Sequence, residues 1–322
     1  MLEQDAKSQV VKKHSHHATA RGNGHGGPSD QTITRPFDRQ SQVCLLCGGG
    51  EHQPILSECG IDILRCCKCH HVFSSFNADP CYDGFWGGHV PEGEHLYWNK
   101  ARRRMYQDFQ RQFIVGRSGR LLDFGCGLGF FLKSMAEYKN WESNGCEISP
   151  AAVRYARETL ALKNISCGRL EDSGFSTGSF DLITMWDVLD HLSQPEHVLR
   201  RCHALLKNGG RLFIRTPNVS IQLLKARLRR LFQGTENNTS YLQVKDHAHH
   251  YSKSSIQELL QRNGFSRIEF VHVRPVEDCS GSLSSVCRGI KRAMFIVVKA
   301  LARASNGHLN FDNLFVLAEK RS

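Results

Sequence analysis

Four cysteines stand in two pairs, Cys44-Leu45-Leu46-Cys47 and Cys66-Cys67-Lys68-Cys69, with the spacing C-x2-C-x18-C-x2-C. Two short turns that each present two thiolates complete a tetrahedral shell around one zinc ion, and four thiolates leave no position open for water. The expected zinc site is therefore structural, with Cys44, Cys47, Cys66 and Cys69 as ligands. Cys59, Cys67, His70 and His71 lie near enough in sequence to leave the ligand set open, and free buried cysteines are the metal-free alternative.

A second arrangement carries more chemistry. In Leu121-Leu122-Asp123-Phe124-Gly125-Cys126-Gly127-Leu128-Gly129-Phe130-Phe131-Leu132, three alternating glycines join an apolar run to an amphipathic one. Side chains there would keep a cofactor away from the backbone amides, so glycine is the residue the approach requires. The order D-x-G-x-G-x-G departs from the G-x-G-x-x-G of nicotinamide-binding loops, and Asp123 suits a ligand that carries an ammonium group. At the end of the next apolar run, Gly145-Cys146-Glu147-Ile148-Ser149 puts Glu147 where an acid accepts hydrogen bonds from ribose hydroxyls in open nucleoside-binding sheets.

Histidine is the side chain best suited to take a proton near neutral pH. Two sets qualify: His191, and the group His247, His249 and His250 in Asp246-His247-Ala248-His249-His250-Tyr251-Ser252. His247 or His249 is the favoured base. A purely structural hydrogen-bonding role stays open for each, and His191 also suits a cap on its helix.

These residues need a scaffold. Beyond Arg120, strand-like runs alternate with helical patterns: Arg120 to Phe124, then Phe130 to Tyr138; Glu142 to Glu147, then Pro150 to Thr159; Phe180 to Trp186, then Gln194 to Leu206; then the strand Arg211 to Thr216. Such alternation predicts a parallel sheet covered on both faces, with ligands at the carboxyl ends of its strands. The expected fold is doubly wound α/β. A basic segment over Ile221 to Phe232, a helix over Ser254 to Asn263, a strand over Arg267 to Val273, a long helix near Val286 to Arg303 and a strand over Asn313 to Ala318 fit a seven-stranded sheet whose last strand is antiparallel.

The chain has 322 residues, 40% of them hydrophobic, enough for one substantial core and a small satellite. Residues 1–40 are Gly-, His- and Ser-rich and are expected to be a disordered tail; 41–78 form the zinc-binding knuckle, 79–119 a linker and basic helix, and 120–322 the catalytic domain, with helical lid insertions near 219–235 and 283–305. No apolar run is long enough to cross a bilayer and the start lacks the apolar centre of a secretory signal, so a cytoplasmic protein is expected. Thirteen cysteines then read as metal ligands and core residues rather than disulfides. The net charge of +11 concentrates in Lys100 to Arg120, Lys225 to Arg230 and Arg288 to Arg303, which are either solvated helix faces or contacts for an anionic substrate or a membrane surface.

Taken in order, these motifs resemble the class I S-adenosylmethionine-dependent methyltransferases. Leu170-Glu171-Asp172-Ser173 is similar to the loop after that family's third strand, Trp186-Asp187-Val188-Leu189-Asp190-His191 to its V-L-E-H ending with Asp190 in place of glutamate, and Leu205-Leu206-Lys207-Asn208-Gly209-Gly210 to the turn before its fifth strand. The resemblance covers about Arg120 to Gly264 and the closing strand. It implies S-adenosylmethionine as cofactor, a Rossmann-like sheet, an adenine contact at Asp172 with Glu171 as the other choice, and further cofactor contacts at Cys126, Ile148, Trp186 and Asp187. Similar cysteine knuckles precede the catalytic domain in methyltransferases acting on sugars and other small metabolites. The expected activity is O-methylation of a sugar-containing or lipid-like small-molecule acceptor. Methylation of RNA or protein is the enzymatic alternative, and a nucleic-acid-binding zinc protein on a methyltransferase scaffold is the non-catalytic one; the oligomeric state is left open.

Overall fold

The computed structural model describes residues 43–75 apart from 59, 96–233, 242–274 apart from 245, single positions at 276, 296, 297 and 300, and 313–321. The expected tail and the helix near 286–303 with its lid role lie outside the described residues, save those single positions. In chain order come β1 (His52–Glu58), β2 (Ile61–Cys66), β3 (Val72–Ser74), a π-helical turn (Leu96–Ala101), α1 (Arg102–Phe113), β4 (Gly119–Phe124), α2 (Phe130–Met135), β5 (Trp141–Glu147) and α3 (Pro150–Glu158). They are followed by β6 (Ile165–Cys167), β7 (Phe180–Trp186), a 3-10 turn (Leu189–His191), α4 (Pro195–Leu205), β8 (Leu206–Pro217), α5 (Val219–Gln233), β9 (His249–His250), α6 (Lys253–Arg262), β10 (Phe265–Phe270) and β11 (Asn313–Lys320).

Successive side chains of a strand point to opposite faces, and here both faces are apolar. Leu122, Ile183, Leu212 and Ile214 pack on one side of the main sheet, while Leu121, Leu182 and Phe213 pack on the other against Met105, Tyr106, Phe109 and Phe113 of α1. Those strands form a seven-stranded sheet in the order β10-β11-β8-β7-β4-β5-β6. The pairs β4–β5, β5–β6, β4–β7 and β7–β8 are parallel, and β11 lies antiparallel between β8 and β10. The doubly wound α/β sheet with an antiparallel final strand is the one read from the sequence. The order reverses between β4 and β7, so a crevice opens beyond the ends of those two strands.

Helix starts follow local chemistry. The Ser149 hydroxyl accepts from the Ala152 amide at the head of α3, with Pro150 in the first turn, and Ser252 and Ser255 form a reciprocal capping box at the head of α6.

The cysteine-rich segment is not a free-standing satellite. Strands β1, β2 and β3 form an antiparallel sheet whose fourth strand is β9, contributed from beyond α5. Cys44, Leu46, Cys66 and Phe73 share one apolar cluster with Leu189 and Tyr251, so this sheet is packed into one face of the main body.

Candidate active site

The glycine loop leaves β4 at the switch point. Gly125 has φ +69°, and a Cβ there would stand 2.5 Å from Cγ2 of Val188 in the loop after β7. Gly127 has φ +52° and a Cβ there would meet nothing within 4 Å, so the loop presents bare peptide to open space. The Gly127 amide donates to Glu147 Oε2 at 2.8 Å and the Ser149 amide to Oε1 at 2.9 Å. Burial pushes the Glu147 carboxyl up, opposed by the amides of Ser149, Gly127 and Ile148. Each carboxylate oxygen has a second lone pair, so Glu147 can hold its loop and still accept from a ligand.

Asp123 is buried at the end of β4, and the Thr184 hydroxyl of β7 donates to its Oδ1 at 2.7 Å. Burial pushes its carboxyl up to about 8; the Thr184 bond and Arg102 oppose this, and Glu147 adds to it. An acid so placed is poised to ionise when a cation arrives. Glu171 and Asp172 are exposed on the loop after β6, close enough to join burial and Glu147 in pushing the Cys146 thiol up to about 12.

Two arginines that the sequence did not single out converge on Asp187. Asp187, at φ +56°, accepts from Arg102 of α1 at 2.6 Å and from Arg215 of β8. Both guanidinium groups meet Oδ2, and Oδ1 is buried without a hydrogen-bond partner among the described residues. Trp186 turns its indole into the aromatic cluster of Tyr106, Phe109, Phe131 and Phe213, because the strand alternation sends it to the α1 face. The Cys126 side chain is buried in the same core cluster, and its amide donates to the Cys146 carbonyl at 3.2 Å.

The histidines separate into different environments. His247 Nε2 lies 3.1 Å from Oδ2 of Asp190, and both are buried. His191, partly exposed, places its ring edge-on to His247 at 4.6 Å and bonds the Asp246 carbonyl through Nδ1 at 2.9 Å. Burial lowers the pKa of His247, the Asp190 charge opposes this and His191 adds to it. His249 instead pairs its Nδ1 with Nε2 of His71 at 3.1 Å inside the smaller sheet, and burial lowers it to about 4. Its ring, as buried as that of His247, faces His71 of the cysteine-rich segment.

Cys44, Cys47, Cys66 and Cys69 bring their sulfurs within 4.8 Å of one another. Burial pushes Cys66 up, but amides of Cys69 and Lys68 together with the neighbouring thiols outweigh it and bring the group down to about 7. Cys44 is pushed up to about 11 by burial against amides of Cys47 and Leu46. Four converging sulfurs with peptide N–H groups aimed at them fit a tetrahedral thiophilic cation such as zinc. Cys67 is exposed and outside the cluster.

A glycine loop at the reversal of a seven-stranded sheet, with buried acids at the ends of its first two parallel strands, defines a class I methyltransferase architecture. A family model described as a methyltransferase domain matches residues 97–269, a little over half of the chain, and the chain belongs to that family. It is 36% identical over 104 residues to a ubiquinone biosynthesis O-methyltransferase of Xanthomonas oryzae pv. oryzae, covering 31% of this chain and 43% of that one. A ubiquinone biosynthesis O-methyltransferase of Neisseria meningitidis serogroup C is 32% identical over 108 residues, covering 32% and 45%. The chain thus spans less than half the length of these curated relatives. A SAM-dependent methyltransferase structure from Archaeoglobus fulgidus superposes with a TM-score of 0.46 at 15% identity, over 70% of this chain and 97% of that one. Among the described residues, no helix is long and apolar enough to cross a membrane.

Proposed function

We propose that the protein transfers a methyl group from S-adenosylmethionine to a hydroxyl of a lipid-like small metabolite, with His247 as general base and Asp190 as its partner. The observation that carries this is the 3.1 Å pairing of His247 with Asp190, on the loop whose Val188 packs against Gly125. The pair therefore stands beside the glycine loop, where a proton must be removed from an oxygen nucleophile.

S-adenosylmethionine, when bound, supplies an electrophilic methyl group on a sulfonium. Positive charge disappears during the displacement, so the protein's task is to hold the reactants in line. The bare peptide at Gly127 would seat the nucleoside and Glu147 would hold its ribose, with Asp172 on the adenine side. Asp123 matches the ammonium group. Asp190 keeps the His247 ring oriented and stabilises the imidazolium formed when the acceptor hydroxyl is deprotonated.

The relatives named for ubiquinone biosynthesis support oxygen as nucleophile and favour a lipid-like over a sugar-containing acceptor. The four cysteines hold a structural zinc in this reading, and the exposed Leu224 and Leu228 of α5 present an apolar edge toward such an acceptor. The test is transfer of label from methyl-tritiated S-adenosylmethionine to a panel of phenolic lipids, sugars, RNA and protein. Label in the phenolic lipids supports the proposal; label confined to RNA or protein contradicts it.

A further inference from the structure

We propose that the metal held by Cys44, Cys47, Cys66 and Cys69 is a positioning element for His247, acting through the strand that the cysteine-rich sheet borrows from the catalytic body. The inference rests on the reading of His247 as base.

The thiol cluster and the histidine loop are joined by a short covalent and hydrogen-bonded path. Cys66 ends β2 and Cys69 sits in the turn to β3, closed by Cys66 N to His71 O at 2.9 Å and His70 N to Cys66 O at 3.0 Å. Strand β3 then pairs with β9, Val72 opposite His250 and Phe73 opposite His249. One residue further, Ser74 holds the histidine loop three times: its amide donates to the Ala248 carbonyl at 3.0 Å, and its hydroxyl donates to the His247 carbonyl at 2.8 Å and lies 3.0 Å from His250 Nε2. His71 Nε2, two residues after a ligand, meets His249 Nδ1 at 3.1 Å.

The loop's other side is tied to the active site. Ala248 N donates to the Asp190 carbonyl at 2.9 Å, and the His247 ring meets the Asp190 carboxylate at 3.1 Å. The far end of the cysteine-rich sheet adds a separate tie: the Glu58 carboxylate of β1 accepts from the Leu242 amide at 3.1 Å, five residues before His247. A two-residue strand such as β9 has no order of its own, so its place is dictated by its neighbours. On one side that neighbour is β3, three residues long and anchored at its start by the thiol turn. Without a cation, four sulfurs drawn within 4.8 Å lose the ligand that justifies their convergence. The turn then relaxes and the register of β3 on β9 loosens, so His247 loses its alignment with Asp190 while the glycine loop, on the far side of the β7 loop, is left in place.

The experiment uses the full chain with zinc content, S-adenosylhomocysteine affinity, amide exchange and the His247 ring resonance measured on the same samples. The intact protein should carry one zinc, and Cys67→Ser should keep it. Zinc removal by chelation, or Cys69→Ser, should speed exchange of the Ala248 to Tyr251 amides about tenfold or more and shift or broaden the His247 Cε1–H signal, with S-adenosylhomocysteine affinity held within about twofold. Re-added zinc should reverse the chelated sample. Ser74→Ala, which leaves the thiols intact, should keep the zinc yet reproduce the His247 change, and it tests the path even where Cys69→Ser does not fold. The proposal is overturned if the purified protein holds no metal, if zinc removal leaves exchange and the His247 signal unchanged, or if the whole chain loosens together with loss of nucleoside affinity. Full turnover by His247→Ala would instead remove the base reading, while the exchange data would still report whether metal and loop are coupled.

Discussion

The Oδ2 atom of Asp190 and the Nε2 atom of His247 lie 3.1 Å apart in a buried setting, although one residue follows β7 and the other precedes β9. A carboxylate this close to an imidazole stabilises its protonated form. Replacing the ring with His247→Ala should lower methyl transfer about a hundredfold or more, the usual size of a general-base contribution. S-adenosylhomocysteine affinity should change by less than about twofold, since the ring is not part of the nucleoside seat. The pH profile checks the assignment. Burial lowers the His247 pKa from 6.5, Asp190 opposing and His191 adding. A base must be neutral, so kcat should climb with pH below about 6.5 and be flat above it. An acid limb centred above 7 would contradict the assignment.

Acid should weaken the fold through the same loop. His247, His249 and His250 are all buried with depressed pKa values, His249 at about 4. In the unfolded chain each titrates near the ordinary value of about 6.5, so the unfolded state binds more protons between the two values. Stability is therefore full above about 6.5 and falls as pH drops toward 4; the His249 shift alone is worth on the order of 3 kcal/mol. Denaturant melts from pH 8 to pH 4 should show the loss beginning below about 6.5, and His249→Asn should flatten it.

Much of the main sheet was legible in the sequence because six of its strands carry apolar runs bounded by turns; β6, the three residues Ile165–Cys167, has no such run and was not read. Asp123, Gly125 to Gly129 and Glu147 stood out because each directly ends or follows an apolar run, although the bonds from Gly127 to Glu147 and from Thr184 to Asp123 join separate strands. What the sequence hid is long-range. Strand β9 has two residues and no pattern, and its partner β3 belongs to the cysteine-rich segment, so the joined sheet left no periodic trace. Arg102 looked like one more charge on a basic helix, whereas it is buried against Asp187. His249 and His247 are two positions apart and looked equivalent, but an intervening turn sends one ring to His71 and the other to Asp190.

Asp123 gives a proton-linked signature. With its carboxyl pushed up to about 8, it is largely protonated at pH 7, and an ammonium group brought against it should expel that proton. Titrating S-adenosylhomocysteine at pH 7 in buffers of different ionisation enthalpy should reveal release of close to one proton per chain. Asp123→Asn should abolish the buffer dependence and weaken binding; a buffer dependence unchanged in that variant would remove Asp123 from the ammonium contact.

The two glycines of the loop should respond differently to alanine. At Gly125 a Cβ collides with Val188 and the backbone is left-handed, so Gly125→Ala should cost about 2 kcal/mol or more of stability. At Gly127 the space is open, so Gly127→Ala should cost only about 1 kcal/mol for its positive φ while still obstructing a nucleoside laid over the peptide. Thermal melts and nucleoside binding on both variants separate the effects: equal melting losses would contradict the geometry.

The most direct test of the whole account is calorimetric binding of S-adenosylhomocysteine to the purified chain and to Glu147→Ala. The nucleoside seat described above predicts saturable one-to-one binding with an affinity in the range of roughly 1 µM to 1 mM. It also predicts a loss of about tenfold or more in the variant, whose main sheet should still melt cooperatively. No measurable binding to the intact chain, or equal affinity in Glu147→Ala, would contradict it.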